Sequence, residues 1–196
     1  MLQNLFKLKR ATDFCVYLGH PLLREKCQPI VWEKDEELVS ILVSKMKAIL
    51  QLPKRSLISW RRSSNSSDVP IGISANQLGH AKRMFAVHIP RELVLRDSGG
   101  EPLPFSVFVN PRMKIVNSAK FTSRESCVSV PCVDGDVWRY SNVIIEAENE
   151  KRQPVSINCR GLLSAVMQHE MDHLKGEVFL DHLQSTKTLR YSPPIK

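Results

Sequence analysis

The sequence predicts an α+β fold: mostly antiparallel sheets arranged around a central helix that carries an H-E-x-x-H motif. Three observations predict it. One strongly amphipathic stretch, about residues 35–51, stands alone near the start. Short, alternating, β-branched segments follow between about residues 83 and 159. The stretch "GLLSAVMQHEMDHLKG", residues 161–176, then returns to a helical period. Helix, several strands, helix is the order of an α+β domain rather than of an alternating parallel sheet.

Residues 15–31, "CVYLGHPLLREKCQPIV", read as an extended, turn-punctuated lead-in with Pro21 and Pro29. The helix at 35–51 has Asp35, Glu36 and Glu37 in its first turn, where carboxylates suit the positive end of the helix dipole. Leu38, Leu42, Met46 and Ile49 form its apolar stripe, widened by Ile41 and Leu50. Pro53 ends it, and a basic, serine-rich insert without period follows at about 53–69. "RMFAVHI" (83–89), "FSVFVN" (105–110), "MKIVNS" (113–118) and "NVIIEAE" (142–148) read as strands separated by Gly, Pro and Asp. "ENEKRQP" makes a hairpin turn into "VSINC" (155–159). Gly161 opens the last helix, which runs to about Leu174, with Gly176 as its terminator. The prolines of "TLRYSPPIK" stop any further helix there.

At 196 residues, 42% hydrophobic and 24% charged, the chain fits a single domain over 1–196 with a core that needs no staples. No apolar run approaches the roughly 18 residues of a membrane span, so a soluble protein is expected, with no membrane partner. The net charge is +8 and the pI about 9.4, with a dense cluster at Lys54, Arg55, Arg61 and Arg62. No nucleic-acid module accompanies that charge, so a solvated basic surface is expected, with no DNA partner and the acidic ribosome as a candidate one. Five cysteines, Cys15, Cys27, Cys127, Cys132 and Cys159, form no C-x-x-C pair, which fits a reducing compartment and argues against a disulfide framework. Lys7, Lys9 and Arg10 precede the first acid, Asp13, so the N-terminus resembles an organellar targeting tail.

The chemistry is announced by His169, Glu170 and His173. Histidines four apart on a helix lie one turn apart on one face, within reach of one metal ion, and the glutamate beside them can act as a base toward water. Leu162, Val166, His169 and His173 share that face; Leu163, Met167, Glu170 and Leu174 share the adjoining one. A hydrogen-bonded histidine pair in an ordinary core is the plainer alternative, but it leaves Glu170 buried without a partner, which is costly. Two ligands rarely suffice for catalysis; three with an open position is the usual count. One metalloprotease pattern would place a third histidine at position 179, where Phe179 has no ligand atom. Another needs a glutamate farther downstream, and the only one past the motif is Glu177, too near. Asp181 and His182 are weak fallbacks. Upstream, Cys127 in "RESCVSVP" (124–131) sits in a polar, turn-prone segment and would complete a Cys/His2 site with an open position for Zn2+ or Fe2+.

"GISANQ" (72–77), "ESCVS" (125–129) and "HEMDHLKG" (169–176) occur in order, and together the chain resembles the peptide deformylase family. That family's motifs run G-x-G-L-A-A-x-Q, E-G-C-L-S and H-E-x-D-H-L-x-G. The likeness extends to "LGHPLLRE", the preceding helix and "VFLDHL". It implies one divalent metal ion, Fe2+ or Zn2+, held by Cys127, His169 and His173. It implies hydrolysis of the N-formyl group from formylmethionine of nascent polypeptides, with release of formate. Glu170 would move the proton; the Gln77 side chain and the Val128 backbone N–H would steady the oxyanion. Ile71, Gly72 and Glu125, with Leu162 and Val166 from the histidine face, would receive the methionine, and Arg139 would pair with Glu125. The chain departs from the motifs at Pro70, Ile73, Ser74 and Ser126, where glycine, leucine, alanine and glycine are usual. A positive φ at Ser126 would strain a serine. Formylmethionine initiation and the basic N-terminus point to a mitochondrial location, the cytoplasm being the alternative. A peptide-binding relative with impaired turnover or altered substrate range is the rival reading, with a metalloprotease behind it.

Overall fold

The first helix, α1 (Trp32–Leu50), begins three residues earlier than its apolar period suggests. Asp35 explains the difference. Its carboxylate turns back to accept from the Val31 N–H at 2.9 Å, capping a donor that the helix cannot satisfy. The buried stripe is Asp35, Val39, Leu42, Met46, Ile49 and Leu50; Leu38 is half-buried and Ile41 exposed. Lys82 neutralises the buried Asp35 at 2.6 Å.

The protein, described here by a computed structural model over residues 15–51, 70–96 and 101–191, contains two antiparallel sheets. The insert at 53–69, with its basic cluster, and Lys7, Lys9 and Arg10 lie outside the described residues. The larger sheet has the order β1 (Gly72–Ser74), β2 (Met84–Ile89), β3 (Leu103–Ile115), β6 (Asn142–Glu148), β7 (Pro154–Arg160). A short helix, α2 (Arg91–Arg96), follows β2. The smaller sheet contains β4 (Lys120–Cys127), β5 (Val130–Tyr140) and β8 (Arg190–Tyr191) in that order. The second long helix, α3 (Gly161–His173), follows β7 directly.

Alternation along β2 and β3 places a core on each face of the larger sheet. Met84, Ala86, Val107 and Val109 pack with Leu42, Met46 and Ile49 of α1. Phe85, Val87, Ile89 and Phe108 point the other way, onto Leu163, Val166, Met167 and Met171 of α3. The Phe85 and Phe108 rings lie 5.1 Å apart. Each fully buried side chain of this size contributes about 1.5–3 kcal/mol by leaving water. The helix that carries the histidines is therefore anchored along its length against a sheet.

Two expectations about strands are corrected. The segments 105–110 and 113–118 are one strand, β3, rather than two. Asn110 adopts φ 50° and shifts the register between Val109 and Arg112, so its Asn-Pro pair is a bulge and not a break. Its side chain accepts from the Ile30 N–H at 2.8 Å and donates to the Ile30 carbonyl at 2.9 Å, which holds that conformation. The apolar pattern also marks no strand over 120–140, where β4 and β5 lie. The inward positions of β4 are Ser123, Glu125 and Cys127, so the period of two is present but written in polar residues. All five cysteines are free, as their spacing predicts.

After α3 the chain turns through Gly176 at φ 82°. A Cβ there would lie 2.6 Å from the Arg24 carbonyl oxygen. Gly176→Ala should therefore destabilise the protein by about 1–3 kcal/mol, seen as a lower urea midpoint at unchanged slope.

Candidate metal centre

Three pieces of chain meet at one end of α3. Cys127 is the last residue of β4, and Val128 and Ser129 form the turn into β5. Gln77 lies in a single 3-10 turn, Asn76–Leu78, just after β1 and closed by Gly79 at φ 87°. The segment at Cys15–Leu18 ties these two pieces together, with Val16 N–H donating to the Gln77 carbonyl and Leu18 N–H to the Ser129 carbonyl, both at 2.8 Å.

Cys127, His169 and His173 each offer a ligand atom, and these atoms lie within 4.8 Å of one another. The Cys127 Sγ is 3.3 Å from His173 Nε2, and the two imidazole centroids are 4.9 Å apart. His169 Nδ1 pairs with Glu125 Oε2 at 2.9 Å, which leaves Nε2 as its ligand atom. Carboxylate-to-imidazole contacts of this kind orient a ligand and raise its basicity. The fit to a metal ion is tested by the remaining atoms. Among the described residues, Glu170 Oε2 and His173 Nδ1 are buried without a hydrogen-bond partner. One thiolate and two imidazoles form a borderline-soft donor set that suits Zn2+ or Fe2+.

Glu125 leads to the most heavily charged part of the interior. Arg139 binds it through two parallel bonds of 2.7 and 2.8 Å, and also reaches Asp172 Oδ2 at 2.5 Å. Glu125, Arg139 and Asp172 are all buried. The expected Arg139–Glu125 pair is thus present. Glu125 also faces His169, so it serves to orient a ligand. Burial works to raise the Glu125 carboxyl, but the bonds from Arg139 and His169 outweigh it and hold it at about 2.

Glu170 experiences the opposite balance. Burial pushes its carboxyl up to about 7, helped by the charges of Glu125 and Asp172 and resisted by His169. Gly72 explains how β1 comes so close: a Cβ at that position would overlap the Glu170 carboxylate, with Cδ at 2.9 Å. Gly72 is thus needed for the approach of β1 to Glu170. Gln77 is buried, with its amide nitrogen 3.3 Å from Cys127 Sγ and 3.2 Å from Ser129 Oγ. Ile71 and Leu162, half-buried, pack against the apolar cluster that contains buried Val166.

Other positions fall where the motif reading left them open. Phe179 is buried and its ring lies 6.4 Å from that of His169, a packing contact and not a ligand. Asp181 pairs with Arg24 at 2.5 Å and caps the Val178 N–H; His182 contacts Glu177 at 3.1 Å. Neither belongs to the cysteine–histidine cluster. Ser126 is exposed, opposite Asp134, and is absent from the non-glycine positive-φ positions of the described residues, Asn110, Cys132 and Arg152. Serine carries no backbone strain there. Sequence reasoning overlooked Asn76, which donates to the His173 carbonyl at 2.7 Å, and Ser129, which accepts from Gln77. Nothing in their local pattern marks them, although both sit inside motif segments.

A cysteine and two histidines with a buried glutamate on the same H-E-x-x-H helix define a metal-dependent hydrolase. A family model described as polypeptide deformylase matches residues 14–189. A peptide deformylase of Elusimicrobium minutum is 31% identical over 171 residues, 85% of each chain. Peptide deformylase 2 of Vibrio cholerae is 35% identical over 122 residues, 62% of this chain and 67% of that one. The crystal structure of a peptide deformylase from Synechococcus elongatus in complex with actinonin is similar in fold, with TM-score 0.66 and 26% identity over 89% of this chain and 80% of the other. The chain belongs to the peptide deformylase family, and its activity is that of a peptide deformylase, a metallohydrolase.

Two outcomes follow from the charges. Arg139→Ala leaves Glu125 and Asp172 buried without their cation, so it should cost about 3–5 kcal/mol of stability. Metal affinity should fall about 10- to 100-fold, read by competition with a chelator. For Glu170, a carboxyl raised in the folded state contributes stability that is full below 4.5 and lost as pH rises through about 7. In thermal melts of metal-free protein, the Tm of Glu170→Gln relative to the parent should rise steadily between pH 5 and pH 8.

Proposed function

We propose that this deformylase hydrolyses the formyl group from N-formylmethionine of nascent polypeptides, releasing formate, with Cys127, His169 and His173 holding one Fe2+ or Zn2+ ion. The observation that carries the reading is the convergence of those three ligand atoms within 4.8 Å beside the buried Glu170. When bound, the ion supplies Lewis acidity that polarises the formyl carbonyl and lowers the pKa of water toward neutrality.

The chain's own residues account for the rest. Glu170 accepts a proton from the attacking water and returns it to the leaving amine. Its carboxyl is buried, with Oε2 free of any hydrogen-bond partner among the described residues, so that oxygen is available to take the proton. Attack places negative charge on the formyl oxygen, and the Gln77 amide and the Val128 N–H are the donors assigned to it. Gln77 is supported in this role by its nitrogen, which faces Cys127 and not the protein exterior. Ile71, Leu162 and Val166, associated with one apolar cluster, suit an unbranched methionine side chain. Gly72 keeps the edge of β1 close to Glu170, where the formyl end must arrive.

The compartment is proposed to be mitochondrial, supported by Lys7, Lys9 and Arg10 and by the use of formylmethionine as substrate. The net charge of +8 supports contact with the ribosome. Peptide binding without turnover is the rival reading, motivated by Pro70 and Ser126, and Ser126 is not at a positive φ.

The test is anaerobic purification with metal analysis, followed by formate release from a formyl-Met peptide alongside an internal-cleavage assay. Stoichiometric metal and formate release are expected, and Glu170→Gln should keep the metal while losing about 10²- to 10⁴-fold in kcat. Internal cleavage without formate would sink the reading. Reconstitution with each ion in turn decides between Fe2+ and Zn2+.

A further inference from the structure

Ser74, the last residue of β1, is fully buried and has no part in the chemistry above. It stands where the family motif carries alanine. Gln77 must present its nitrogen, and not its carbonyl oxygen, toward the reacting group. The two ends of an amide are nearly the same size, so only hydrogen bonds decide which way it lies.

Ser74 decides it twice. Its backbone N–H donates to Gln77 Oε1 at 2.9 Å, and its Oγ donates to the same oxygen at 3.0 Å. The hydroxyl also lies 2.7 Å from Asn76 Oδ1, and Asn76 Nδ2 donates to the His173 carbonyl at 2.7 Å. A peptide N–H can only donate and a peptide carbonyl can only accept, so both amides have one allowed orientation. The single hydroxyl proton is shared between two acceptor oxygens. Donation by the Gln77 nitrogen makes its oxygen more negative and draws the shared proton toward it, the cooperative behaviour of a buried hydrogen-bond chain.

We propose that Ser74 is a positioning residue for the reaction: its hydroxyl, added to its own backbone N–H, steadies the Gln77 amide oxygen and strengthens the nitrogen at the other end of that amide as a donor. The proposal rests on the reading of Gln77 as an oxyanion donor. Ser74 touches no reacting atom and acts only through the amide.

A double-mutant cycle with Ser74→Ala and Gln77→Ala, measured as formate release by metal-loaded enzyme, tests it. Ser74→Ala should fold, since alanine is the family's residue there, and should keep its metal and its KM. Its kcat should fall about three- to tenfold, the loss expected for one hydrogen bond. In the Gln77→Ala background the same change should cost nothing further. In 15N-labelled, zinc-loaded protein, the Gln77 side-chain amide signals, assigned by their disappearance in Gln77→Ala, should move in Ser74→Ala. Equal fractional losses in both backgrounds, or unmoved amide signals, would overturn the role of Ser74 alone. Full activity in Gln77→Ala would overturn the donor reading itself, and this inference with it.

Discussion

The site depends on one buried cation. Arg139, on β5, stands between Glu125 on β4 and Asp172 on α3, and all three are almost wholly removed from water. Each carboxylate is coupled to a ligand. Glu125 holds His169 by its ring nitrogen, and Asp172 immediately precedes His173 in the helix. The arrangement joins the smaller sheet to α3, and so joins the strand that supplies Cys127 to the helix that supplies both histidines. Desolvating these charges is expensive, and an apolar substitute of equal volume would serve stability as well or better. What an apolar group cannot do is fix an imidazole's orientation. Lys175, 2.8 Å from Asp172, helps to balance the second carboxylate.

The same helix carries two buried carboxyl groups with different neighbours. Asp172 lies among cations. Glu170, two residues earlier, points into a region where burial dominates and its carboxyl rises to about 7. The closeness of Gly72 narrows that region from the β1 side. A carboxyl in such surroundings exchanges protons near neutral pH, whereas Glu125, at about 2, remains a fixed charge. Carboxylates with and without a cationic partner thus lie within a single cluster.

Much of the architecture was legible in the sequence where side chains repeat in apolar code. The bounds of β6 and the helix–turn at Gly161–Gly176 follow from local pattern, as does the pairing of His169 and His173 on one face. The smaller sheet was not legible. Its inward positions on β4, Ser123, Glu125 and Cys127, include no large apolar side chain, although Cys127 packs with Val130, Val137 and Phe179. A rule that equates burial with apolar residues fails where function requires buried polar groups. Asn110 misled for a related reason, since a bulge and a chain break share the same turn residues until the next strand is seen to pair.

By itself the sequence determined the ligand helix, the identity of the third ligand through the three motifs, and the absence of a ligand at Phe179. Tertiary structure decided what those groups experience. It placed Glu125 against His169, set the carboxyls of Glu170 and Glu125 far apart, and relieved Ser126 of strain. The physical reason is range. Periodicity and motif spacing report which side chains share an element. Burial, charge and hydrogen-bond direction depend on residues such as Arg139 and Gly72, brought together from distant parts of the chain.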